Sequence, residues 1–281
     1  MKFGASMFFT DYAVSADALA VALEERGFDS VWAPEHSHIP LSRKTEFPAG
    51  GELPRKYAEA MDPFVSLAAA ASVTSRLMIG TGVCLVAQRD PIQLAKTVAS
   101  LDVVSGGRFL FGIGNGWNQD EMENHGTAFA TRHKRARENV EAMRAIWSSD
   151  AAEYHGEFVN FDPMVARPKP VRSPPVYVGG AFPYSARRAI RYGDGWLPQA
   201  ARKGAYRQIA DMIPEFHRMT EEAGRGRLPV TVWHSRRDGD MIKRYEDLEV
   251  ERVVFSLEPE GRDEVMVKID AIAGFMRGVN G

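Results

Sequence analysis

The fold is decided by the stretch Leu77-Met78-Ile79-Gly80-Thr81-Gly82-Val83-Cys84-Leu85-Val86, a short apolar run interrupted by glycines. Asp90-Pro91 then begins a helical pattern that continues to residue 104, and a second apolar run covers residues 108–113. Short, continuous apolar runs are typical of strands buried on both faces of a parallel sheet. A strand, a helix and a second strand in about forty residues predict one βαβ unit. Glycines follow both strands, at the edge where parallel α/β folds bind their ligands.

Strand and helix patterns alternate along the rest of the chain. Further apolar runs, each followed by a helical pattern, cover residues 3–8, 28–33, 175–179, 195–199, 228–234 and 253–257. Such alternation predicts a parallel sheet, and eight units suit an α/β protein with a (β/α)8 TIM barrel, a fold of about 250 residues. An open doubly wound sheet is disfavoured because no Gly-x-Gly-x-x-Gly motif opens a helix after the first strand. We therefore predict one barrel domain over residues 1–281.

Two connections depart from this regular alternation. After strand two, residues 39–60 are rich in proline and glycine and show no sustained period. After strand four, residues 115–130 form a polar connection, and residues 152–161 are typical of a small hairpin that turns at His155-Gly156. We predict loop insertions after strands two and four, and long loops in compact domains are usually functional or mobile.

Composition excludes several classes of protein. The net charge of the 281 residues is −2, which argues against a nucleic-acid binder because such proteins usually carry a basic patch. A single cysteine, Cys84, excludes an intrachain disulfide and a cysteine-rich zinc site. No stretch approaches the roughly 20 apolar residues of a membrane span, and the first residues lack the pattern of a signal peptide. We expect a cytoplasmic protein that binds neither nucleic acid nor membranes.

The residues that follow the predicted strands are the candidates for the active face, because (β/α)8 enzymes place their sites there. They are rich in glycine, aromatic and small polar side chains and poor in paired carboxylates. No glycine-rich phosphate loop with a lysine is present among them. This composition suits a flat aromatic cofactor better than a metal ion or a sugar diphosphate, and we predict no metal site.

Several motifs, taken in order, carry a resemblance to a known family. They are Glu35-His36 after the second strand, residues 79–83 in the third, Asp90-Pro91, and the runs 101–108 and 112–121. The ordered set covers residues 1–200 and resembles the luciferase-like monooxygenase superfamily. It is most similar to the F420-dependent oxidoreductase branch of that superfamily, whose fold is a (β/α)8 barrel.

The resemblance implies that the deazaflavin F420 is the cofactor, with FMN as the alternative. It implies a non-proline cis peptide bond at Gly82-Val83 that bulges toward the cofactor ring. His36 is the implied catalytic residue, which donates a hydrogen bond or acts as an acid or base near neutral pH. The resemblance also places Glu35 among the cofactor-binding residues. Its side chain is expected either to orient His36 or to cap the loop after strand two. His38 is a weaker candidate for the role of His36.

Further cofactor contacts are implied after strands four and five. Gly179-Gly180-Ala181 precede a helix, so their free N–H groups are expected to hold a cofactor phosphate. The alternative is a tight turn that needs glycine. Asn115 and Asn118 are expected to hydrogen-bond the cofactor or the substrate, and Trp117 to line the pocket. The alternative for Asn115 is that its side chain binds no ligand and only shapes the glycine-rich turn in which it lies.

Other residues keep two interpretations. Arg187 and Arg188 fit a solvated helix face, although one of them can reach a phosphate. His234 fits either the end of a barrel strand or the substrate pocket. Cys84 is interpreted as a small buried residue, because no basic neighbour marks it as a nucleophile.

The leading hypothesis for function is an F420-dependent oxidoreductase that transfers a hydride between the deazaflavin C5 carbon and a small organic substrate. An FMN-dependent monooxygenase on the same barrel is the near alternative. A non-catalytic flavin-binding barrel comes third, and a barrel that acts on phosphorylated sugars without a redox cofactor comes last. The resemblance also favours a homodimer, whereas the substrate cannot be identified from the sequence.

Overall fold

The strands and helices follow the predicted alternation. The computed structural model describes residues 1–199 and 205–280, with the side chains of 205–207 and 280 excepted. The strands are β1 (Lys2–Ser6), β2 (Ser30–Ala33), β3 (Met78–Thr81), β4 (Cys84–Leu85), β5 (Phe109–Gly114), β6 (Ala152–His155), β7 (Asn160–Met164), β8 (Val176–Gly179), β9 (Gly195–Leu197), β10 (Thr231–Trp233) and β11 (Arg252–Ser256). The helices are α1 (Ala16–Glu25), α2 (Pro63–Ser72), α3 (Pro91–Val104), α4 (Gln119–Asn124), α5 (Arg132–Ser148), α6 (Tyr184–Tyr192), α7 (Ala205–Glu222), α8 (Gly239–Asp247) and α9 (Arg262–Asn280).

The parallel strands close into the predicted barrel. Their order around it is β10, β11, β1, β2, β3, β5, β8 and β9, and all of these pairings are parallel. Two parallel bridges, Trp196 with Val230 and Gln199 with Trp233, join β9 to the strand on its other side. The (β/α)8 architecture is therefore confirmed, and the carboxyl ends of all these strands meet at one mouth.

Large aromatic rings fill the inside of the barrel. The rings of Trp32 and Trp233 meet edge to face with their centroids 5.6 Å apart, and Tyr177 packs on Trp32 at 6.4 Å. These side chains form a small cluster of their own with Leu110, Leu197 and neighbours, separate from the larger core between strands and helices. The barrel interior is thus packed below the mouth, which leaves space for a ligand only above it.

The third strand is interrupted, although the apolar run at residues 77–86 predicts a single strand. β3 ends at Thr81, the Gly82-Val83 peptide bond is cis, and β4 resumes at Cys84 and pairs with β5. The cis bond that the resemblance implied is confirmed. The apolar pattern continues through the break because both parts of the strand are buried.

Aspartate–proline pairs begin two of the helices. The Asp62 carboxylate accepts from the N–H of Phe64 at 2.8 Å, with Pro63 in the first turn of α2. The Asp90 carboxylate accepts from the N–H of Gln93 at 2.8 Å and caps α3 in the same way. Both arrangements satisfy backbone N–H groups that have no partner inside the helix.

The polar connection and the hairpin differ from the prediction. Residues 115–130 contain α4, a short helix that the sequence pattern did not indicate. The hairpin pairs His155 with Asn160, so its turn lies at residues 156–159 rather than at His155-Gly156. The buried Glu138 carboxylate accepts from the N–H groups of Phe158 and Val159 at 2.7 and 3.2 Å, which fixes the later turn. Within the described ranges, no helix is both long and apolar enough to cross a membrane.

Candidate functional site

A cavity of about 480 Å³ opens at the carboxyl ends of the barrel strands. Its wall is built by residues that follow β1, β2, β3, β5, β8, β9, β10 and β11, together with residues 47–49 and 56–57 of the loop after β2. A wall made from nearly every strand end is the usual position of a (β/α)8 active site. The volume lies within the range of small-molecule and cofactor sites.

His36 is fixed on this wall by a buried carboxylate. Its Nδ1–H donates to Glu121 Oε2 at 2.7 Å, and the side chains are 5% and 0% exposed. The second oxygen of Glu121 accepts from the N–H of Ser37 at 3.2 Å. Both oxygens of Glu121 therefore accept hydrogen bonds from the segment after β2. This fixes the orientation of the imidazole and leaves only its Nε2 available to a ligand in the cavity.

Helix α4 is what brings Glu121 to His36. The Asn118 side chain accepts from the N–H of Glu121 at 3.5 Å and caps this helix. The neighbouring carboxylate of Asp120 accepts from the hydroxyl of Ser42, which ties the helix to the loop after β2. Hydrogen bonding by Ser42 holds the pKa of Asp120 below its usual value.

Aromatic rings surround His36 at the mouth of the cavity. Tyr57 and Trp117 lie with their centroids 5.2 and 5.7 Å from the imidazole. Phe47 packs against both at 5.3 and 5.8 Å, and Phe8 packs on Tyr57 at 4.8 Å. Burial raises the pKa of Tyr57, and Glu258 adds to this, so the phenol stays protonated and able to donate. The cluster shields the imidazole from bulk water.

Glu35 supports the backbone that follows the cis bond. Its carboxylate accepts from the N–H of Leu85 at 2.6 Å and from Arg89 Nε at 2.6 Å. Arg89 also donates to Asp62 at 2.6 Å. Glu35 borders the cavity, but each of its oxygens already has a partner. Its geometry is that of a support for residues 82–85 rather than of the residue that orients His36.

Glycines beside Val83 make room for the strand-three bulge. A Cβ on Gly114 would lie 2.4 Å from Val83 Cγ2, and a Cβ on Gly179 would lie 2.9 Å from Val83 Cγ1. A Cβ on Gly82 would lie 1.8 Å from the ring of Trp233. The absence of side chains at these positions lets Gly82 and Val83 reach the cavity wall.

A group of cations without acidic partners lies behind Gly180. In the part of the chain that the structure describes, neither Arg132 nor Arg188 forms an ion pair, and the Nε atoms of both are buried without a hydrogen-bond partner. A Cβ on Gly180 would lie 3.7 Å from Arg188 Nη2. Burial lowers the pKa of both arginines, yet a guanidinium keeps its charge in proteins. The two guanidinium groups are therefore half-buried and not neutralised by an acidic side chain, which is an arrangement suited to binding an anion.

Two uncharged side chains, His133 and Asn115, lie beside these arginines. Burial, with the charges of Arg132 and Arg188 adding to it, lowers the pKa of His133 to about 4. The neutral ring accepts at Nδ1 from the Asn115 amide at 2.6 Å. The Asn115 Oδ1 atom is buried without a hydrogen-bond partner among the described residues.

Comparison with known proteins gives the family. A family model described as luciferase-like monooxygenase matches residues 10–237. The chain belongs to the luciferase-like monooxygenase family. An uncharacterised protein of Mycobacterium tuberculosis is 37% identical over 97% of this chain and 98% of its own length. The F420-dependent hydroxymycolic acid dehydrogenase of the same organism is 31% identical over 65% of this chain and 48% of its own length.

A solved structure supports the fold of this luciferase-like chain. The monooxygenase RslO1 from Streptomyces bottropensis superposes with a TM-score of 0.80, covering 100% of both chains at 21% identity. At this level of identity the likeness concerns the fold. The resemblance stated from the sequence is thus confirmed at the level of family and barrel.

The luciferase-like barrel brings most of the predicted site residues together. The cavity wall includes Glu35, His36, Gly82, Val83, Trp117, Gly180 and Ala181. Asn115, Asn118 and Gly179 lie behind the wall, where they respectively bond His133, cap α4 and pack on Val83. The N–H of Gly180 already donates to the Leu197 carbonyl at 3.4 Å. His38 also lies off the wall and bonds Ser37 and Asn124.

No role was evident from the sequence for Glu121, for Tyr57, or for Ser256, which also borders the cavity. The spacing from Trp117 to Glu121 was part of the family pattern, but nothing in it indicated a bond to His36. Tyr57 was visible as an aromatic residue in the long loop after β2. Ser256 is the last residue of a short strand, and no sequence signal separates it from the other strand residues.

Proposed function

We propose that this luciferase-like protein is an F420-dependent oxidoreductase acting on a small organic substrate. The observation that carries the proposal is the buried His36–Glu121 pair on a cavity wall that also holds the Gly82-Val83 bulge. Arg132 and Arg188, which form no ion pair among the described residues, fit the phosphate of a flavin-like cofactor. The relative described as an F420-dependent dehydrogenase supports F420 over FMN.

Some of these residues would bind the cofactor, and others would transfer a proton. Arg188 and Arg132 would hold the phosphate, and Gly82-Val83 would lie against the ring. Bound F420 supplies a carbon, C5, that accepts or gives the hydride. His36 takes up the proton of a substrate hydroxyl at Nε2, or returns it to a carbonyl oxygen in the reverse direction. Glu121 keeps the imidazole oriented and balances the charge it gains, while the Tyr57 and Trp117 rings exclude water.

Binding titrations test the choice of cofactor. The purified protein is titrated with F420, with FMN, and with the deazaflavin alcohol FO, which lacks the phosphate and the tail of F420. We expect micromolar binding of F420 and binding of FMN at least tenfold weaker. Micromolar binding of FMN alone would overturn the F420 assignment in favour of the monooxygenase alternative. Flavin or deazaflavin binding without turnover of any substrate would indicate a storage protein.

Arg188→Ala tests the phosphate site through affinity. Hydrogen bonds to charged groups contribute about 1.5–3 kcal/mol, so the variant is expected to bind F420 at least tenfold more weakly. Its affinity for FO should stay within about twofold, because FO has no phosphate for Arg188 to contact. Arg187→Ala is the matched control, since Arg187 is exposed on the same helix. Equal losses for F420 and FO would show that Arg188 is only structural.

A further inference from the structure

His234 has an unusual backbone conformation at the edge of the cavity. It follows β10 with a φ of 58°, in the left-handed region that favours glycine. The described residues include two other non-glycine positions of this kind, Arg43 and Glu249, and both have exposed side chains away from the cavity wall. A side chain held at such a position on a ligand-facing wall is a reason to look for a function.

Two neighbours fix the imidazole of His234. Its Nδ1 is hydrogen-bonded to the Ser256 hydroxyl at the end of β11. The ring of Trp233 meets it edge to face with the centroids 5.8 Å apart. The N–H of Ser235 donates to the Val254 carbonyl at 2.9 Å, which anchors the backbone just after the histidine. With Nδ1 engaged, Nε2 is the nitrogen that remains for a ligand in the cavity.

The charges that face His234 cancel one another. Burial, with Lys56 adding to it, lowers the pKa of His234 to about 4, whereas Glu258 acts in the opposite direction. Lys56 donates to both oxygens of Glu258 at 2.7 and 2.6 Å, so its charge is balanced. A neutral imidazole and a neutralised lysine leave this end of the cavity polar but without net charge.

The two histidines lie on different sides of the mouth. His36 follows β2 and His234 follows β10, and β11 and β1 separate those two strands in the barrel. Apolar side chains line the wall between them, including Met7 after β1 and Leu257 after β11. A ligand that spans the cavity therefore meets a polar group at each end and an apolar surface in the middle.

We infer that His234, held by Ser256, is a substrate subsite that binds an uncharged hydroxyl, carbonyl or ether oxygen. The substrate class is an uncharged and largely apolar molecule with two oxygen groups, one reacting beside His36 and one bound by His234. A carboxylate or phosphate is disfavoured, because Lys56 is the one cation on the described part of the wall near His234 and it is already paired. This inference rests on the proposed function, since it assigns the substrate of the same cavity.

Three six-membered ketones test the subsite. Cyclohexanone carries the reacting group alone, 4-hydroxycyclohexanone adds a distal hydroxyl, and 4-oxocyclohexanecarboxylate adds a distal charge. Each is titrated into F420-bound protein whose histidines carry ¹⁵N, and the His234 signal is assigned by its absence in His234→Ala. We expect the hydroxyketone to shift that signal and to bind about threefold to tenfold more tightly than cyclohexanone, as one neutral hydrogen bond allows.

Variants separate hydrogen bonding from structure. His234→Ala should abolish the advantage of the hydroxyketone while F420 affinity stays within about twofold. His234→Asn should restore part of it, because asparagine tolerates the left-handed region and keeps a hydrogen-bonding side chain. His155→Ala, at an exposed histidine of the hairpin, is the matched control. Loss of F420 affinity in His234→Ala together with no rescue by asparagine would mark a structural residue and overturn the inference.

The remaining outcomes also decide the question. Tighter binding of the carboxylate than of the hydroxyketone, or no shift of the His234 signal with any ketone, overturns the subsite. Failure of F420 to bind contradicts the proposed function instead. In that case the same ketone titrations on FMN-bound protein still test His234, because its contacts involve Ser256 and Trp233 and no cofactor-binding residue.

Discussion

The two histidines on the cavity wall differ in the partner that fixes each ring. Nδ1 of His36 donates to a fully buried carboxylate, whereas Nδ1 of His234 meets a hydroxyl at the mouth. A carboxylate can balance a proton taken up by the imidazole, and a hydroxyl cannot. The same residue type in the same cavity is therefore suited to proton transfer at one end and to neutral hydrogen bonding at the other.

The largest expected difference between the two histidines is in turnover. General acid–base catalysis contributes about 10²–10⁴-fold, so His36→Ala is expected to lower kcat by this factor. His234→Ala should act mainly on KM, with an effect on kcat at least tenfold smaller than that of His36→Ala. Steady-state kinetics with reduced F420 as the hydride donor and the hydroxyketone as the acceptor distinguish the two. Comparable losses of kcat in both variants would contradict the assignment of proton transfer to His36 and of substrate binding to His234.

Glu121→Gln tests whether the charge of the Glu121 carboxylate is what distinguishes His36 from His234. Glutamine keeps the size of the side chain but loses the charge that balances a protonated imidazole. Loss of a carboxylate behind a metal-binding histidine typically costs about 10–100-fold in activity, and we expect a loss of kcat of similar size for the pair described here. The pH profile of kcat should change shape, which a purely structural defect would not produce. A variant with unaltered kcat and pH profile would reduce Glu121 to a packing role.

The barrel was predictable because its signals are local. Short apolar runs with glycine at their ends and the Asp90-Pro91 helix start reflect the burial and capping of single elements, and the structure shows them at the expected places. The cis bond at Gly82-Val83 came from the family pattern, since periodicity alone treats residues 77–86 as one strand. The turn of the hairpin was placed too early because Glu138, which fixes it, belongs to another element.

The site was less predictable because its partners come from distant elements. Glu121 stands on a helix too short and too polar to show a period, 85 residues from His36. Arg188 was interpreted as a solvated residue with a phosphate as the alternative, and only the packing of α6 behind Gly180 shows that it is half-buried. Ser256 lies 22 residues from His234 and becomes its partner only when β10 and β11 pair.

Gly82→Ala tests the packing of the strand-three bulge against Trp233, the residue that precedes His234. The new Cβ would lie 1.8 Å from the ring of Trp233, which is itself packed on Trp32 at 5.6 Å and has no room to move. Overpacking of this kind costs about 1–3 kcal/mol of stability, and we expect a loss of that size in denaturant unfolding. Gly278→Ala is the control, because that helical glycine faces open space and alanine there should be neutral or slightly stabilising. Equal stability of the two variants would show that Trp233 adapts freely.

The smallest expected effect is the acid response of His234. Its pKa in the folded protein is lowered to about 4, below the ordinary value of 6.5. Between these values the unfolded chain binds a proton that the folded chain does not, so the free energy of unfolding falls as the pH falls from 6.5 toward 4. His234→Asn removes this contribution, and from pH 7 to 5 it should lose on the order of 1 kcal/mol less stability than the parent. Urea unfolding at both pH values measures the difference, with His155→Asn as the matched control. Equal losses in the parent and in His234→Asn would show that His234 is not held neutral by the fold, and the contrast with His36 would then rest on geometry alone.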